Sequence, residues 1–286
     1  MQTNSKLKVT VYSPDSSLKN PASLLSAIIN DIVSGRELAW RLAVRDISAQ
    51  YRQAALGILW AFILPLVNTA TWVFLSESGI VSLAETSIPY PVYVFVGTML
   101  WQILIESINA PLTETTAAKA MLSKLNFPRE ALIISGIYKT IFNSVIKIAL
   151  MITAVIIFGI YPTWSLAFLP LGLLSLIITG TAIGLLLTPI GILYSDIGKA
   201  IPIFMQFLMY ITPVVFVMPT TGLAATIFRV NPFTYLILTT RDWITGSQTQ
   251  YITEYLLVVG ISLVVLFIVI VVYRLAMPML IERMSA

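Results

Sequence analysis

Hydrophobic residues stand in long, nearly charge-free runs along this chain. A helix that crosses the apolar core of a bilayer, about 30 Å thick, needs about 20 residues, and six segments reach that length. They are Ala54–Ser76, Pro91–Leu112, Ala131–Ile160, Ser165–Ser195, Ala200–Pro219 and Tyr255–Tyr273. The pattern predicts an all-α polytopic membrane protein with six transmembrane helices.

The segments between these runs differ in charge, and the difference predicts their sides. Thirteen Lys and Arg residues lie before residue 54, between residues 113 and 130, around Lys199 and after residue 273, whereas the opposite segments hold only Arg229 and Arg241. Basic residues concentrate in cytoplasmic loops, so both termini are predicted to be cytoplasmic. Segment 218–254 is then external, and its apolar runs beside turn signals predict short helices at the outer mouth.

Composition agrees with this class and narrows the chemistry. Hydrophobic residues make up 58% of the 286 residues, charged residues 10%, and the mean hydropathy is +0.91. Cysteine and histidine are absent, which excludes disulfides, thiol nucleophiles, Cys/His metal sites and histidine acid–base catalysis. No Gly-x-x-x-x-Gly-Lys-Ser/Thr motif occurs, so no phosphate-binding loop of that type is expected. We expect no cofactor in this chain.

Residues 36–53 precede the first run and predict an amphipathic helix lying in the cytoplasmic membrane interface. One arc of its helical wheel holds Trp40, Ala43, Val44, Ile47 and Tyr51, and the adjacent arc holds Arg41, Arg45, Ser48 and Arg52, while Leu38 and Leu42 interrupt the polar side. The alternative is a helix packed against another domain. Both are compatible if the helix touches lipid and a partner.

The junction between this helix and the first run carries a family resemblance. It reads Arg45-Asp46, Tyr51-Arg52, Leu56-Gly57, Trp60 and Pro65-Leu66. This spacing resembles the permease subunits of ABC exporters for polysaccharides or teichoic acids, within the ABC type-2 permease family. By that resemblance, residues 1–35 are a variable cytoplasmic segment and residues 54–286 a six-span permease domain.

A second resemblance lies in segment 113–130, where Lys124-Leu-Asn-Phe-Pro-Arg-Glu130 resembles the cytoplasmic coupling helix of the same family. Leu122, Leu125 and Phe127 would form an apolar knob, and Pro128 would permit a sharp turn into the third span. The candidate ATPase-coupling residues are Lys119, Leu122, Lys124, Phe127, Pro128, Arg129, Glu130 and, in a Tyr-x-Asp motif after the fourth span, Asp196. The alternative is a solvated basic loop that follows the positive-inside rule.

Further matches extend the resemblance from about residue 36 to residue 273. Gly97-Thr-Met-Leu-Trp-Gln102 resembles the second span, while Asn231-Pro232 with Arg241-Asp242 resembles the external segment and marks a candidate gate. The resemblance implies a homodimer in the bacterial inner membrane with two separate ATPase subunits that bind ATP and Mg. It also implies an undecaprenyl-diphosphate-linked glycan of the O-antigen type as cargo. The alternatives are a teichoic-acid-type exporter, a secondary transporter and a glycan-modifying enzyme.

Aromatic residues crowd the first two spans and could stack on sugar rings in a conduit. These candidates are Trp60, Phe62, Trp72, Phe74, Tyr93, Phe95 and Trp101. For a single aromatic residue, anchoring at the lipid interface or helix packing is the more frequent explanation.

Charged residues inside the spans are costly and usually face a cavity or a partner. Glu106 lies in the second span, whereas Lys139 and Lys147 lie on a polar stripe of the third that could attract a diphosphate or satisfy Glu106. If the second span enters from outside near Pro91 and the third starts inside near Leu132, depth pairs Glu106 with Lys139 and leaves Lys147 nearer the outside. Gly180 and Gly184 predict close helix packing, within the chain or between subunits.

Overall fold

The computed structural model describes residues 21–52, 59–80, 86–122, 124, 127–161 and 163–285. These residues form α-helices and one 3-10 helix, and they contain no β-strand. The helices are α1 (Pro21–Arg52), α2 (Trp60–Glu77), α3 (Tyr90–Ala117), α4 (Lys119–Leu122), α5 (Glu130–Ile157), the 3-10 helix (Trp164–Phe168), α6 (Leu169–Leu193), α7 (Asp196–Tyr210), α8 (Gly222–Val230), α9 (Pro232–Thr245) and α10 (Ile252–Ser285). The predicted all-α class is confirmed.

Helix α3 is the centre of the bundle and packs on α6, α5, α2, α7 and α9. Contacts along the chain give the directions of its neighbours. Glu106 and Glu114 of α3 pair with Lys147 and Lys139 of α5 in reverse order, so these two helices are antiparallel. Helices α6 and α10 run parallel to α3. One end of the bundle therefore contains α4 and the start of α7, and we call it the α4 end. The opposite end contains α8 and α9, and we call it the hairpin end.

Two glycines explain how α6 approaches α3 so closely. A Cβ atom at Gly180 would meet the Ser107 side chain, and a Cβ atom at Gly184 would meet the backbone of Ile108 and the ring of Pro111. Small residues at this spacing let helix backbones approach within a membrane. The predicted close packing is confirmed, and it occurs within the chain.

Four helical segments of the described residues are long and apolar enough to cross a membrane: Tyr90–Ala117, Glu130–Ile157, Trp164–Leu193 and Ile252–Ile281. They correspond to the second, third, fourth and sixth predicted spans. The first and fifth differ from prediction. Residues 54–58 lie outside the described residues, and α2 includes Asn68 and two threonines near its middle. Helix α7 starts four residues earlier than predicted and already ends at Tyr210, so it extends only about 22 Å.

Helix α1 is longer than predicted, since it begins at Pro21 rather than at residue 36. Its Leu38 and Leu42, which seemed to interrupt the polar side, lie toward α5, with Leu42 and Ala43 buried. Ala43 therefore belongs to the packed face and not to the lipid arc. Trp40 is 59% exposed, and its ring packs edge-on against Tyr138 of α5. The helix thus packs on the bundle along one face and leaves an apolar stripe and a basic stripe exposed.

Helices α8 and α9 form a hairpin that enters the bundle between α3 and α6. The Phe233 ring, at the start of α9, packs edge-on against Trp101 with ring centroids 5.9 Å apart. Trp101 lies eleven residues after Tyr90, about 16 Å along α3. The short helices predicted for segment 218–254 are present, and α9 is mostly buried rather than resting on the surface.

Candidate functional site

Ionic contacts join α1, α3, α5 and α10 in the half of the bundle that is nearer the α4 end. Lys147 Nζ lies 2.6 Å from Glu106 Oε1, and Lys139 Nζ lies 2.5 Å from Glu114 Oε1 and 3.6 Å from Asp46 Oδ2. Glu114 and Lys147 are buried. Neutralised pairs of this kind lower the cost of placing charge in an apolar surrounding.

The predicted pairing of Glu106 with Lys139 is wrong. That prediction placed the inner ends of the two spans, Leu112 and Leu132, at one level. In the structure α3 continues to Ala117, and the two observed pairs place Leu112 level with Ile141. The nine-residue difference is about 13 Å, or more than two turns. A signal was present in the sequence: Glu106 and Glu114 are eight residues apart, as are Lys139 and Lys147, and antiparallel helices can pair equal spacings.

A third ionic cluster lies nearer the α4 end. Arg274 of α10 donates to Glu130 Oε1 at 2.5 Å and to Asp31 Oδ2 of α1 at 2.6 Å. Arg274 lies just beyond the predicted end of the sixth span, and Asp31 lies before the predicted start of the interface helix. Sequence reasoning therefore did not connect them. The cluster ties the first turn of α5 to both terminal helices.

The predicted coupling segment is divided between several elements. Residues 113–117 belong to α3, not to a loop, and Leu122 is buried in the core rather than exposed as a knob. Glu130 is also buried and is used by Arg274. Leu125 lies outside the described residues. Phe127, Pro128 and Arg129 are half-buried, while Lys124 and Asp196 are exposed. Their role in coupling stays a prediction.

Lys119 and Asp196 have local electrostatic roles at this end. Lys119 Nζ donates to the Ile192 carbonyl oxygen at 3.0 Å, in the last turn of α6. Asp196 lies in the first turn of α7. Both placements are favourable for the helix macrodipole, since a cation suits a helix carboxyl end and an anion suits an amino end.

In the interface helix, the charged residues form contacts with different partners. Arg41 pairs with Glu37 on the exposed surface at 2.6 Å, and Arg45 pairs with Asp46 at 2.7 Å. Asp46 also faces Lys139. Arg52 is exposed, whereas the Tyr51 side chain lies outside the described part of the structure.

The candidate channel aromatics do not share one surface. Tyr93, Phe95 and Trp101 are buried in the core, so the prediction that they line a conduit is wrong for the described conformation. Trp72 is half-buried against Tyr210 and Phe216. Phe62 is half-buried, and Trp60 and Phe74 are exposed. Helix α3 buries its aromatic rings because it is surrounded by neighbours on most sides.

At the hairpin end, the chain after α7 is irregular, and its carbonyl groups are satisfied by side chains. Arg241 Nη2 donates to the carbonyl oxygens of Pro213 and Val214 at 2.7 and 3.0 Å. Tyr93 Oη donates to Phe216 O at 3.1 Å, and Asn231 Nδ2 donates to Ile211 O at 3.0 Å. Irregular backbone is tolerated at membrane depth only where protein satisfies it.

The residues predicted as an external gate therefore build this junction. Asn231 caps α9, accepting a hydrogen bond from the Phe233 backbone N–H at 3.0 Å, and Pro232 is the first residue of the helix. Arg241 is 2% exposed and lies 3.7 Å from the Tyr93 ring centroid. Gly97 makes room for it, since a Cβ there would meet Arg241 Nη2 and the Val214 carbonyl oxygen.

Asp242 follows Arg241 and is half-buried. Burial raises the pKa of its carboxyl group from 3.8 to about 7, and the neighbouring Arg241 offsets part of that rise. Near neutral pH this carboxyl group is therefore present in both protonation states.

Comparison with known proteins gives a similarity that bears on these features. No protein-family model matches the chain. The O-antigen export system permease protein RfbA of Myxococcus xanthus is 24% identical over 193 residues, which cover 68% of this chain and 73% of that protein. The similarity supports membership of the ABC type-2 permease family. Together with the long apolar helices of this chain, the similarity supports a multi-pass membrane protein and suggests a transport component.

Proposed function

We propose that this permease is the membrane subunit of an ABC exporter that moves a lipid-linked cell-surface polysaccharide of the O-antigen type across the cytoplasmic membrane. The observation that carries the proposal is the similarity to an O-antigen export permease over two thirds of both chains. The buried polar contacts of the bundle support it, because a permease must hold charged and polar groups within an apolar surface.

Six spans follow in this proposal from α2, α3, α5, α6, α7 and α10. Helix α7 alone is too short for a bilayer core of about 30 Å. The irregular segment 211–217 extends it, and side-chain donors from α3 and α9 satisfy several of its carbonyl groups. With the basic residues of the α4 end in the cytoplasm, both termini are cytoplasmic and the α8–α9 hairpin is external.

The energy source is a separate ATPase, which is an expectation from the family. A homodimer with two ATPase subunits would place the conduit between two copies of the chain. The undecaprenyl-diphosphate-linked glycan is then the cargo, and ATP and Mg are bound by the partner.

Deletion of the gene in its host, followed by complementation, tests this function. Intact cells should lose the surface glycan, and lysed cells should accumulate the same glycan on its lipid. Phosphate analysis of the retained polymer separates the alternatives, because a polyol-phosphate chain would identify a teichoic-acid-type exporter. An unchanged surface glycan in the deletion strain would overturn the proposal.

A further inference from the structure

A pocket of about 410 Å³ lies at the hairpin end, between the start of α3, the segment after α7 and the carboxyl end of α9. Its outer lining includes the exposed side chains of Ser87, Thr220, Gln248 and Gln250. Its deeper lining includes the buried side chains of Tyr93, Arg241 and Thr245. The pocket thus leads from exposed amides and hydroxyls to a buried guanidinium group.

The guanidinium group has unused hydrogen-bonding capacity. Arg241 Nη2 donates to two backbone carbonyl groups, but Nε and Nη1 have no partner among the described residues, although both atoms are buried. An unpaired buried donor destabilises the fold, and an unpaired charged donor does so more strongly. A ligand or water with an acceptor oxygen in the pocket would offset that cost after a small shift of the side chain.

The charge of the lining selects the type of ligand. Asp242 lines the same pocket as Arg241, so a carboxylate or phosphate ligand that approaches the guanidinium also approaches this carboxyl group, whose ionised form repels it. An uncharged, hydroxyl-rich ligand does not meet this repulsion, because each hydroxyl group both donates and accepts. Amide, hydroxyl and carboxyl groups beside the ring of Tyr251 provide matching donors, acceptors and an apolar face.

We propose that this pocket is an external binding site for a neutral sugar unit of a glycan. The site rests on the proposed export function only for the source of its ligand. Sugar hydroxyl groups would bond to Gln248, Gln250 and Asp242, and one would reach toward the free nitrogens of Arg241. A glycan that leaves the membrane would be held briefly at the external end of each subunit.

The absence of cysteine from the chain permits a direct binding test. Ser247→Cys introduces one thiol group into the pocket lining, and Ser78→Cys introduces one at the exposed end of α2, away from the pocket. The purified chain in nanodiscs is labelled with a small water-soluble methanethiosulfonate reagent. The probe is the host's neutral surface glycan, released from lipid by mild acid and cut into oligosaccharides.

The oligosaccharide should slow labelling of the Ser247→Cys variant about threefold at twice its Kd, because occupancy reduces the free fraction. Labelling of the Ser78→Cys variant should not change. Adding Gln248→Ala and Gln250→Ala should weaken the protection at Ser247→Cys, and circular dichroism should show an intact fold.

Equal labelling with and without oligosaccharide would overturn the site. Protection by inorganic phosphate or glucuronic acid, without protection by the neutral oligosaccharide, would also overturn it, because the pocket would then prefer anions. These results are distinguishable from failure of the export function. If the deletion strain retains its surface glycan, the proposed export function is wrong. If the strain loses its surface glycan but the oligosaccharide does not protect the thiol, only the proposed binding site is wrong.

Discussion

At the residue scale, acidic and basic side chains within the bundle satisfy one another in pairs set by helix register. Glu106 pairs with Lys147, and Glu114 pairs with Lys139, which also faces Asp46. Removing one member of a buried pair leaves the other charge uncompensated, and this costs more than removing both. Charge pairing here therefore contributes to the choice of register between α3 and α5.

The first prediction uses that asymmetry. Glu106→Gln should lower the yield of monodisperse protein in detergent, because Lys147 is then left buried without its partner. Lys147→Met added to Glu106→Gln should restore part of the yield and of the Tm. Since Glu106 is about one third exposed, we expect a cost on the order of 1 kcal/mol rather than the full penalty of a buried pair.

The matched control is Lys139→Met in the same Glu106→Gln background. Lys139 contacts Glu114 and Asp46, so this change should lower the yield further instead of restoring it. Rescue by Lys139→Met and not by Lys147→Met would contradict the register.

The second prediction concerns the pH dependence caused by Asp242. Its folded-state pKa of about 7 is above the ordinary value of 3.8, so the folded chain binds more protons than the unfolded chain between these values. The stability from this group is therefore present at low pH and lost as pH rises through about 7. The Tm of Asp242→Asn should fall less between pH 5 and pH 8 than that of the unchanged protein.

Glu254→Gln serves as the control for this measurement, because Glu254 is exposed near the same end of the bundle. Its Tm should follow the unchanged protein across the pH range. An equal pH dependence in Asp242→Asn and the unchanged protein would show that Asp242 ionises freely in the fold.

At the element scale, the α8–α9 hairpin is an insert held by small residues and side-chain donors. Gly97 and Gly172 leave space for Arg241 and Thr240, and Asn231 joins the hairpin to the end of α7. These contacts hold the hairpin to α3, α6 and the end of α7, so its movement would expose polar groups of α9 and the carbonyl groups after α7. An external gate must make such a movement if it is to open.

The third prediction tests this movement with a disulfide. A Cβ atom at Gly172 would lie 3.1 Å from the Thr240 Cβ atom, slightly closer than the usual distance of about 3.5–4.5 Å between bridged cysteines. Gly172→Cys with Thr240→Cys should crosslink under mild oxidation after small adjustment. Glycan export should then stop and recover with a reductant, while the protein remains in the membrane.

A crosslink between α6 and α10 provides the control. Thr179 Oγ1 donates to Ser262 Oγ at 2.9 Å, so Thr179→Cys with Ser262→Cys should also crosslink, but away from the hairpin. Export should continue in that variant. Undiminished export with the Gly172–Thr240 crosslink formed would remove the gating role of the hairpin.

At the scale of the whole molecule, the ionic clusters connect the α4 end to the centre of the bundle. Arg274 links α10 with α1 and with the first turn of α5, which follows Phe127 and Arg129 directly. A displacement of segment 127–130 would therefore be transmitted to α1, α5 and α10 together. This arrangement suits an element that receives motion from a cytoplasmic partner.

The fourth prediction addresses that coupling. The purified chain should hydrolyse no ATP, and Phe127→Ala with Arg129→Ala should uncouple the partner's ATPase activity from export. Lys199→Ala, an exposed change at the same end of the bundle, should leave both activities unchanged. ATP hydrolysis by the isolated chain, or normal export by the double variant, would contradict the assignment.

The sequence by itself determined the class of this protein, its long apolar helices and the short helices of segment 218–254. Long apolar runs leave no soluble alternative, and Asn231-Pro232 is a helix start that local chemistry specifies. Charge counts and motif spacing also indicated the permease family that the comparison supports. These features depend on residues that are close together in the chain.

Only the tertiary structure decided which residues meet. The pairing of Glu106 with Lys147 depends on how far α3 extends past Leu112, and hydropathy does not define that end because α3 continues through polar residues. Tyr93 and Trp101 read as channel candidates, but neighbouring helices bury them. Arg241 donates hydrogen bonds to carbonyl groups of the irregular segment after α7. No local sequence pattern specified that segment. Register and burial arise from packing between distant segments, and a one-dimensional pattern does not contain them.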